Sequence, residues 1–222
     1  MVFFVFFYLN YSFSISVSNG FLKNWKKQKG GAYYGQLQPH EVAELRGWFA
    51  SVDKDRSGTI TASELSEMTF AGKKFSLATA KMLLNVFDTD KSGNIGFFEY
   101  CALHKFITGM QTAFFTHDRD GSGKLDMREV TESLAQGGFR FTQSTVEAVF
   151  KRFEKKTFAA RNDGLDFETF IQMCAYLGQV KSTFEVQDTD KDGWIRINLE
   201  NLVMVIFYYF YFFVYNKLTQ YL

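Results

Sequence analysis

The chain repeats a twelve-residue pattern, and no other feature of it leaves so few folds open. The pattern has an acidic residue at position 1, oxygen-bearing side chains at 3 and 5, glycine at 6, an aliphatic residue at 8 and glutamate at 12. Three segments carry all of it: Asp53, Asp55, Ser57, Gly58, Ile60 and Glu64; Asp88, Asp90, Ser92, Gly93, Ile95 and Glu99; Asp118, Asp120, Ser122, Gly123, Leu125 and Glu129. A further copy, Asp188, Asp190, Asp192, Gly193 and Ile195, is complete through position 8, but Leu199 stands where the glutamate belongs and Glu200 comes one residue late. One such match could be a polar turn between helices. Three full copies in one chain cannot be dismissed that way.

The spacing suits a hard cation. Calcium takes about six to eight oxygens, and a tight loop brings them together: side chains at 1, 3 and 5, the carbonyl at 7, and both oxygens of the glutamate at 12. Glycine at 6 permits the sharpest bend. Position 7 is Thr59, Asn94, Lys124 and Trp194 in the four copies, each contributing its carbonyl. These are EF-hand loops, with magnesium as the competitor at rest. Helical flanks agree: Leu45, Trp48, Phe49 and Val52 precede the first loop at the spacing of one helix face, and Ala80, Leu83, Leu84 and Phe87 precede the second. Counting carboxylates ranks the third loop first, because Asp126 adds a fourth; the first and second follow, Gly96 lacking a side chain at position 9 of the second, and the fifth comes last.

The first three loops begin at 53, 88 and 118, in steps of 35 and 30. The gap before Asp188 holds one more unit, whose end is visible in Gly164, Leu165, Asp166, Phe167, Glu168, Thr169 and Phe170; placing Leu165 at position 8 puts Phe158 at 1 and Ala160 at 3, so this fourth hand has lost its ligands. A step of 30 leaves too little linker for separate helices, so the helix leaving the fourth hand leads straight into the fifth. The expected fold is all-α, five helix-loop-helix units with short β bridges joining Ile60 to Ile95 and Leu125 to Leu165. Ile195 is left over. An unpaired loop edge and an apolar last helix are most readily covered by a second copy of the chain or a relative, with Ile195, Leu202 and Val205 in the contact.

Charge and cysteine content narrow the rest. Twenty-five Lys and Arg nearly balance 24 Asp and Glu, which removes the basic excess that nucleic acid binding needs. Two distant cysteines, Cys101 and Cys174, do not make a secreted disulfide framework. Residues 1–31 form an apolar and then basic extension: Met1 to Leu22 lacks charge, and Lys23, Lys26, Lys27 and Lys29 follow it. Either it is an extension with little bearing on the fold or an anchor that leaves the rest in the cytosol. The globular part is 32–207, and 208–222 is an apolar C-terminal extension.

Five hands in this layout resemble the penta-EF-hand family. Val52 to Gly58 in the first loop, Asp188 to Ile195 in the last and Phe167-Glu-Thr-Phe-Ile-Gln172 look like its group I branch, typified by the apoptosis-linked calcium sensor, and the likeness covers about 33–207. The resemblance implies a cytoplasmic calcium sensor that dimerises through its fifth hand, as a homodimer or with another family member. On calcium binding it would accept proline-rich or other short segments of partners in membrane traffic, membrane repair or cell death, with calcium-dependent association with membranes. In such proteins an arginine between the third and fourth hands swings aside to uncover a pocket, and Arg140 holds the matching position. Tryptophans that line the pocket of animal members are replaced by His104 and Met110, and the second loop, often imperfect in the family, is complete.

Three other readings compete with this one. Cys101 and His104, three residues apart, could pair as thiol and base, but no oxyanion-hole element accompanies them. A regulatory subunit like the small subunit of calpain also has five hands, against which the first-loop residues argue. A membrane-tethered sensor follows if 1–22 inserts.

Overall fold

A computed structural model describes residues 34–35, 37–70, 72–154 and 164–204. Phe158, Ala160 and Val205, with the whole of both extensions, lie outside the described residues. Helix α1 (Pro39–Val52) starts at the chain's single proline, which fits a first turn where no N–H is needed. The first loop leads through β1 (Thr59–Ile60) into α2 (Ala62–Glu67). A small hairpin, β2 (Thr69–Phe70) with β3 (Lys73–Lys74), connects to α3 (Leu77–Phe87). Beyond the second loop come β4 (Ile95–Gly96) and α4 (Phe97–His117); beyond the third, α5 (Met127–Gln136), α6 (Gln143–Phe153) and α7 (Phe167–Gln187). Residues 199–204 are helical.

The expected bridges are present. β1 and β4 pair antiparallel with Ile60 opposite Ile95, and Leu125 and Leu165 exchange N–H···O bonds of 2.9 Å in both directions. All four of these side chains are fully buried. Each pair of loops is thereby tied at its base, where position 8 closes both the short ladder and the core.

Both steps of 30 residues resolve into 21-residue helices that serve two hands each, α4 leaving the second loop and entering the third, α7 leaving the fourth hand and entering the fifth. α4 is the centre of the molecule. It packs against α1, α3, α5 and α7, and Tyr100, Leu103, Phe106, Ile107 and Phe114 along it are almost fully buried. Side chains of that size contribute about 1.5–3 kcal/mol each when withdrawn from water.

The stripe on α1 differs from its expected form. Leu45, Phe49 and Val52 are buried, but Trp48 is 58% exposed. Residues four and then three apart fill the inner face, and Trp48 lies on its flank. On α3 the stripe Ala80, Leu83, Leu84 and Phe87 is buried throughout.

α5 ends in a Schellman turn. Gly138 adopts φ 86°, its N–H bonds to Ala135 O at 3.1 Å, and the Phe139 N–H reaches Leu134 O at 2.9 Å. Phe139 is thereby folded inward, with Lys181 of α7 5.3 Å above its ring. Arg140, the next residue, is exposed. Beside this turn, α4, α5 and α7 enclose a cavity of about 320 Å³ lined by Met110, Ala113, Leu134, Gly137, Phe170 and Cys174 among others.

Candidate metal centres

Four incoming helices end in one way. The N–H of the aspartate at position 1 closes the last turn: Asp53 to Phe49 O, Asp88 to Leu84 O, Asp118 to Phe114 O and Asp188 to Phe184 O, at 2.8–2.9 Å. The chain then turns through left-handed residues at positions 4 and 6. Position 6 is the glycine the motif requires, with φ between 75° and 87° in Gly58, Gly93, Gly123 and Gly193. Position 4 is Arg56, Lys91, Gly121 or Lys191, at φ 58–66°. The motif gives no sign of this second left-handed residue, which costs a side-chain-bearing residue roughly 1–2 kcal/mol.

That backbone aims the carboxylates inward. Asp53 Oδ1 and Asp55 Oδ1 both accept from the Ser57 N–H at 2.9 Å, and Asp53 Oδ2 accepts from Gly58 N–H at 2.8 Å. Asp88 and Asp90 hold Ser92 and Gly93 likewise at 2.9–3.0 Å, and Asp120 and Asp118 hold Ser122 and Gly123. In each of these loops the serine at position 5 donates to the carbonyl at 7: Ser57 to Thr59 at 3.0 Å, Ser92 to Asn94 at 3.1 Å and Ser122 to Lys124 at 2.9 Å.

Glutamate at 12 shuts the loop from below. Glu64 accepts the Lys54 N–H and the Thr61 N–H, Glu99 those of Thr89 and Gly96, Glu129 those of Arg119 and Asp126, over 2.6–3.0 Å. In all three hands this residue is the third of its outgoing helix and position 9 is the N-cap. One carboxylate thus joins loop start, loop end and helix start. Carboxylate oxygens of Asp53, Asp55 and Glu64, of Asp88, Asp90 and Glu99, of Asp118, Asp120 and Glu129, and of Asp188, Asp190 and Asp192 come within 4.8 Å of one another in each group. Convergence of three hard oxygen donors fits calcium. Asp126 stands outside its group. Its Oδ1 accepts from Arg128 and Glu129 N–H at 2.7 and 2.9 Å, capping α5, so the fourth carboxylate expected to favour the third loop is spent on the helix.

Electrostatics follow the geometry. Burial pushes the Asp88 carboxyl above its ordinary range, whereas the N–H and hydroxyl of Ser92 hold Asp90 below it. The Ser122 hydroxyl and N–H likewise lower Asp120. Two carboxylates in one small loop are pushed apart in this way, as desolvation and donated hydrogen bonds act with opposite sign.

The fifth loop opens like the others and then departs. Gly193 N–H bonds Asp188 Oδ2 at 3.1 Å and Trp194 N–H bonds Asp192 Oδ1 at 2.7 Å. Asp188 is buried, and its Oδ1 has no hydrogen-bond partner, a costly state that a cation would relieve. The outgoing helix begins late: Asn198, position 11, caps it, receiving the Asn201 N–H on its side chain at 2.8 Å and the Leu202 N–H on its carbonyl at 2.9 Å. Glu200 is therefore its second residue, and Leu199 points away at 77% exposure. Ile195 is half-buried and joins no bridge among the described residues; Leu202, Val203 and Met204 are exposed.

Cys101 is fully buried with its thiol pushed up to about 11, which leaves no thiolate for nucleophilic work at neutral pH. His104 is half-buried, and burial lowers its basicity. No described helix is long and apolar enough to cross a membrane.

Fold and loops together define an EF-hand calcium-binding protein. Residues 42–105 match the model of the EF-hand domain pair. Penta-EF hand domain-containing protein 2 of Dictyostelium discoideum is 35% identical over 173 residues, 78% of this chain and 82% of that protein. Peflin of Danio rerio is 32% identical, the match covering 80% of this chain but 64% of peflin, so the chain spans under two thirds of that relative's length. Sorcin of Homo sapiens is 29% identical over 80% of this chain and 89% of its own. Among solved structures, a homolog of programmed cell death 6 protein from Leishmania major Friedlin superposes with a TM-score of 0.59 at 32% identity, covering 72% of this chain and 90% of the other. The chain belongs to the penta-EF-hand family and is a calcium-binding protein.

Proposed function

We propose that the chain is a calcium sensor and adaptor built on a penta-EF-hand domain at 32–207, flanked by extensions at 1–31 and 208–222. The ligand sets are Asp53, Asp55, Ser57, the Thr59 carbonyl and Glu64; Asp88, Asp90, Ser92, the Asn94 carbonyl and Glu99; and Asp118, Asp120, Ser122, the Lys124 carbonyl and Glu129. Asp188, Asp190, Asp192 and the Trp194 carbonyl form a weaker, open fifth set. Bound calcium supplies the positive charge that these carboxylates lack and draws oxygens from both ends of a loop. Glu64, Glu99 and Glu129 then fix their outgoing helices against the incoming ones, which is the movement that exposes apolar surface in sensor hands.

The observation that carries the reading is the cavity between α4, α5 and α7, apolar in most of its lining and adjoining the turn that presents Arg140. Its walls include α5, the outgoing helix of the third hand, so displacement of that helix changes its mouth. Arg140 acts as the gate, and the occupant is a short, proline-rich segment of a partner in membrane traffic, repair or cell death. Ile195, Leu202 and Val205 join the fifth hand to a second copy or another penta-EF-hand chain, in the cytoplasm, with calcium-dependent recruitment to membranes.

A pull-down from cell extract with the full chain, in calcium against chelator, tests this. Proteins retained only in calcium are the expected result, lost in the Glu64→Ala, Glu129→Ala double variant while circular dichroism keeps its helical amplitude. Retention unchanged in that variant refutes the sensor reading.

A further inference from the structure

α3 and α7 belong to different pairs of hands, yet one carboxylate oxygen joins them. Glu168 Oε1 accepts from the Ser76 N–H at 2.8 Å, the Ser76 hydroxyl at 2.6 Å and the Thr79 hydroxyl at 2.5 Å. Gln172, one turn further along α7, donates from Nε2 to the Thr79 oxygen at 2.6 Å. Thr79 is fully buried, so no water replaces its bonds to Glu168 and Gln172, whereas Ser76 is exposed and Glu168 half-buried; bonds to a charged acceptor are about twice as strong as neutral ones. Ser76 is also the N-cap of α3, its hydroxyl accepting the Thr79 N–H at 3.2 Å. The carboxylate therefore holds the first turn of α3 as well as its side chains.

The position of Glu168 gives this contact its meaning. It lies three residues after Leu165, whose bridge to Leu125 holds the third loop, and α3 runs without a break from Ser76 to Asp88, the first residue of the second loop. In the three complete hands the third residue of the outgoing helix is the closing glutamate. In α7 that place is Thr169, bonded to its own cap Asp166, and the acidic residue is one earlier, turned toward α3. The fourth hand, whose sequence lacks the ligand pattern, carries a glutamate that bonds another hand.

We infer that Glu168 is a positioning residue that couples the third calcium loop to the second across the boundary between the pairs. Ordering the third loop fixes Leu165, the first turn of α7 and, through Glu168, the first turn of α3. The second loop then has less freedom left to lose when it fills. Linkage makes the effect mutual: each ion raises affinity for the other. This rests on the ligand sets proposed above.

The test uses the full chain with Glu64→Ala and Asp188→Ala silencing the first and fifth loops, and calorimetric titration with calcium. Silencing the third loop by Glu129→Ala is expected to weaken the second by about fivefold or more. With Glu168→Ala added, the same silencing changes second-loop affinity by less than about twofold, as for independent sites. Thr79→Val, which keeps the carboxylate and removes the buried hydroxyl, serves equally should Glu168→Ala fail to fold, and Glu168→Gln, which keeps an acceptor, retains part of the coupling. A merely structural Glu168 would lower the melting temperature and leave the coupling factor in place. An unchanged factor in both Glu168→Ala and Thr79→Val, or no coupling with Glu168 intact, overturns the inference. Absence of calcium uptake at the second loop in the chain with Glu129 intact overturns the ligand assignment, and the coupling with it.

Discussion

The third and fifth loops each follow a 21-residue helix, turn through the same two left-handed positions and bond a glycine N–H back to the first aspartate. They part company after position 8. In the third, Glu129 grips Arg119 and Asp126 N–H and sits three residues into α5; in the fifth, the cap has moved two residues along to Asn198, and the third helical residue is Asn201 where the other hands have glutamate. Loop opening and loop closing are thus separable pieces of structure. The opening half is set by the aspartates, glycine and incoming helix. The closing half depends on where the outgoing helix begins.

The base of the loops offers the largest contrast. Leu165→Ala, at a fully buried bridged position, is expected to destabilise the chain by about 2–5 kcal/mol. Ile195→Ala, half-buried and unbridged, should cost about 1 kcal/mol or less in the dilute monomer. Urea unfolding in chelator measures both, and equal costs would remove the bridge as the distinguishing feature. Next in size, Glu129→Ala should take the third loop from the sensor range of about 10⁻⁷–10⁻⁵ M to about 10⁻⁴–10⁻³ M, whereas Asp188→Ala leaves the tight calorimetric sites untouched.

A sharper comparison adds the missing glutamate in two places. Leu199→Glu restores position 12 by count; Asn201→Glu restores the third residue of the outgoing helix. If helix start governs closure, Asn201→Glu tightens fifth-loop calcium binding by about tenfold, ~1.4 kcal/mol, and Leu199→Glu by clearly less. The opposite order would show that counting from the aspartate matters more than the cap. The smallest effect belongs to position 4: Gly121→Ala, at φ 66°, should lower stability by about 1 kcal/mol in a thermal melt, a strain that Lys191 already bears in the fifth loop.

Features fixed by spacing could be read from the chain itself. Position 8 gave both bridges, and the 30-residue steps gave the shared helices, since neither depends on distant residues. Trp48 defeated the stripe because three- and four-residue spacing marks a face but not its edge. The late cap at Asn198 was hinted at by the displaced Glu200, yet only backbone geometry shows that the helix start, and not merely the acid, has shifted. Asp126 looked like a ligand because its type suits both roles; the bonds its carboxylate accepts from the Arg128 and Glu129 N–H groups decide for the cap. The contact of Glu168 with Ser76 and Thr79, about ninety residues apart in the chain, has no local pattern at all.

α4 carries one further consequence. At about 1.5 Å per residue it is a rod of roughly 30 Å, and one residue added anywhere along it would rotate the third loop by about 100° about the rod's axis relative to the second. The second and third loops, and likewise the ends of α7, are therefore locked in angular phase. A change of seven residues, about two whole turns, is the shortest that brings them back to within about 20° of alignment, so the length of these helices is as much a part of the binding apparatus as any side chain in it.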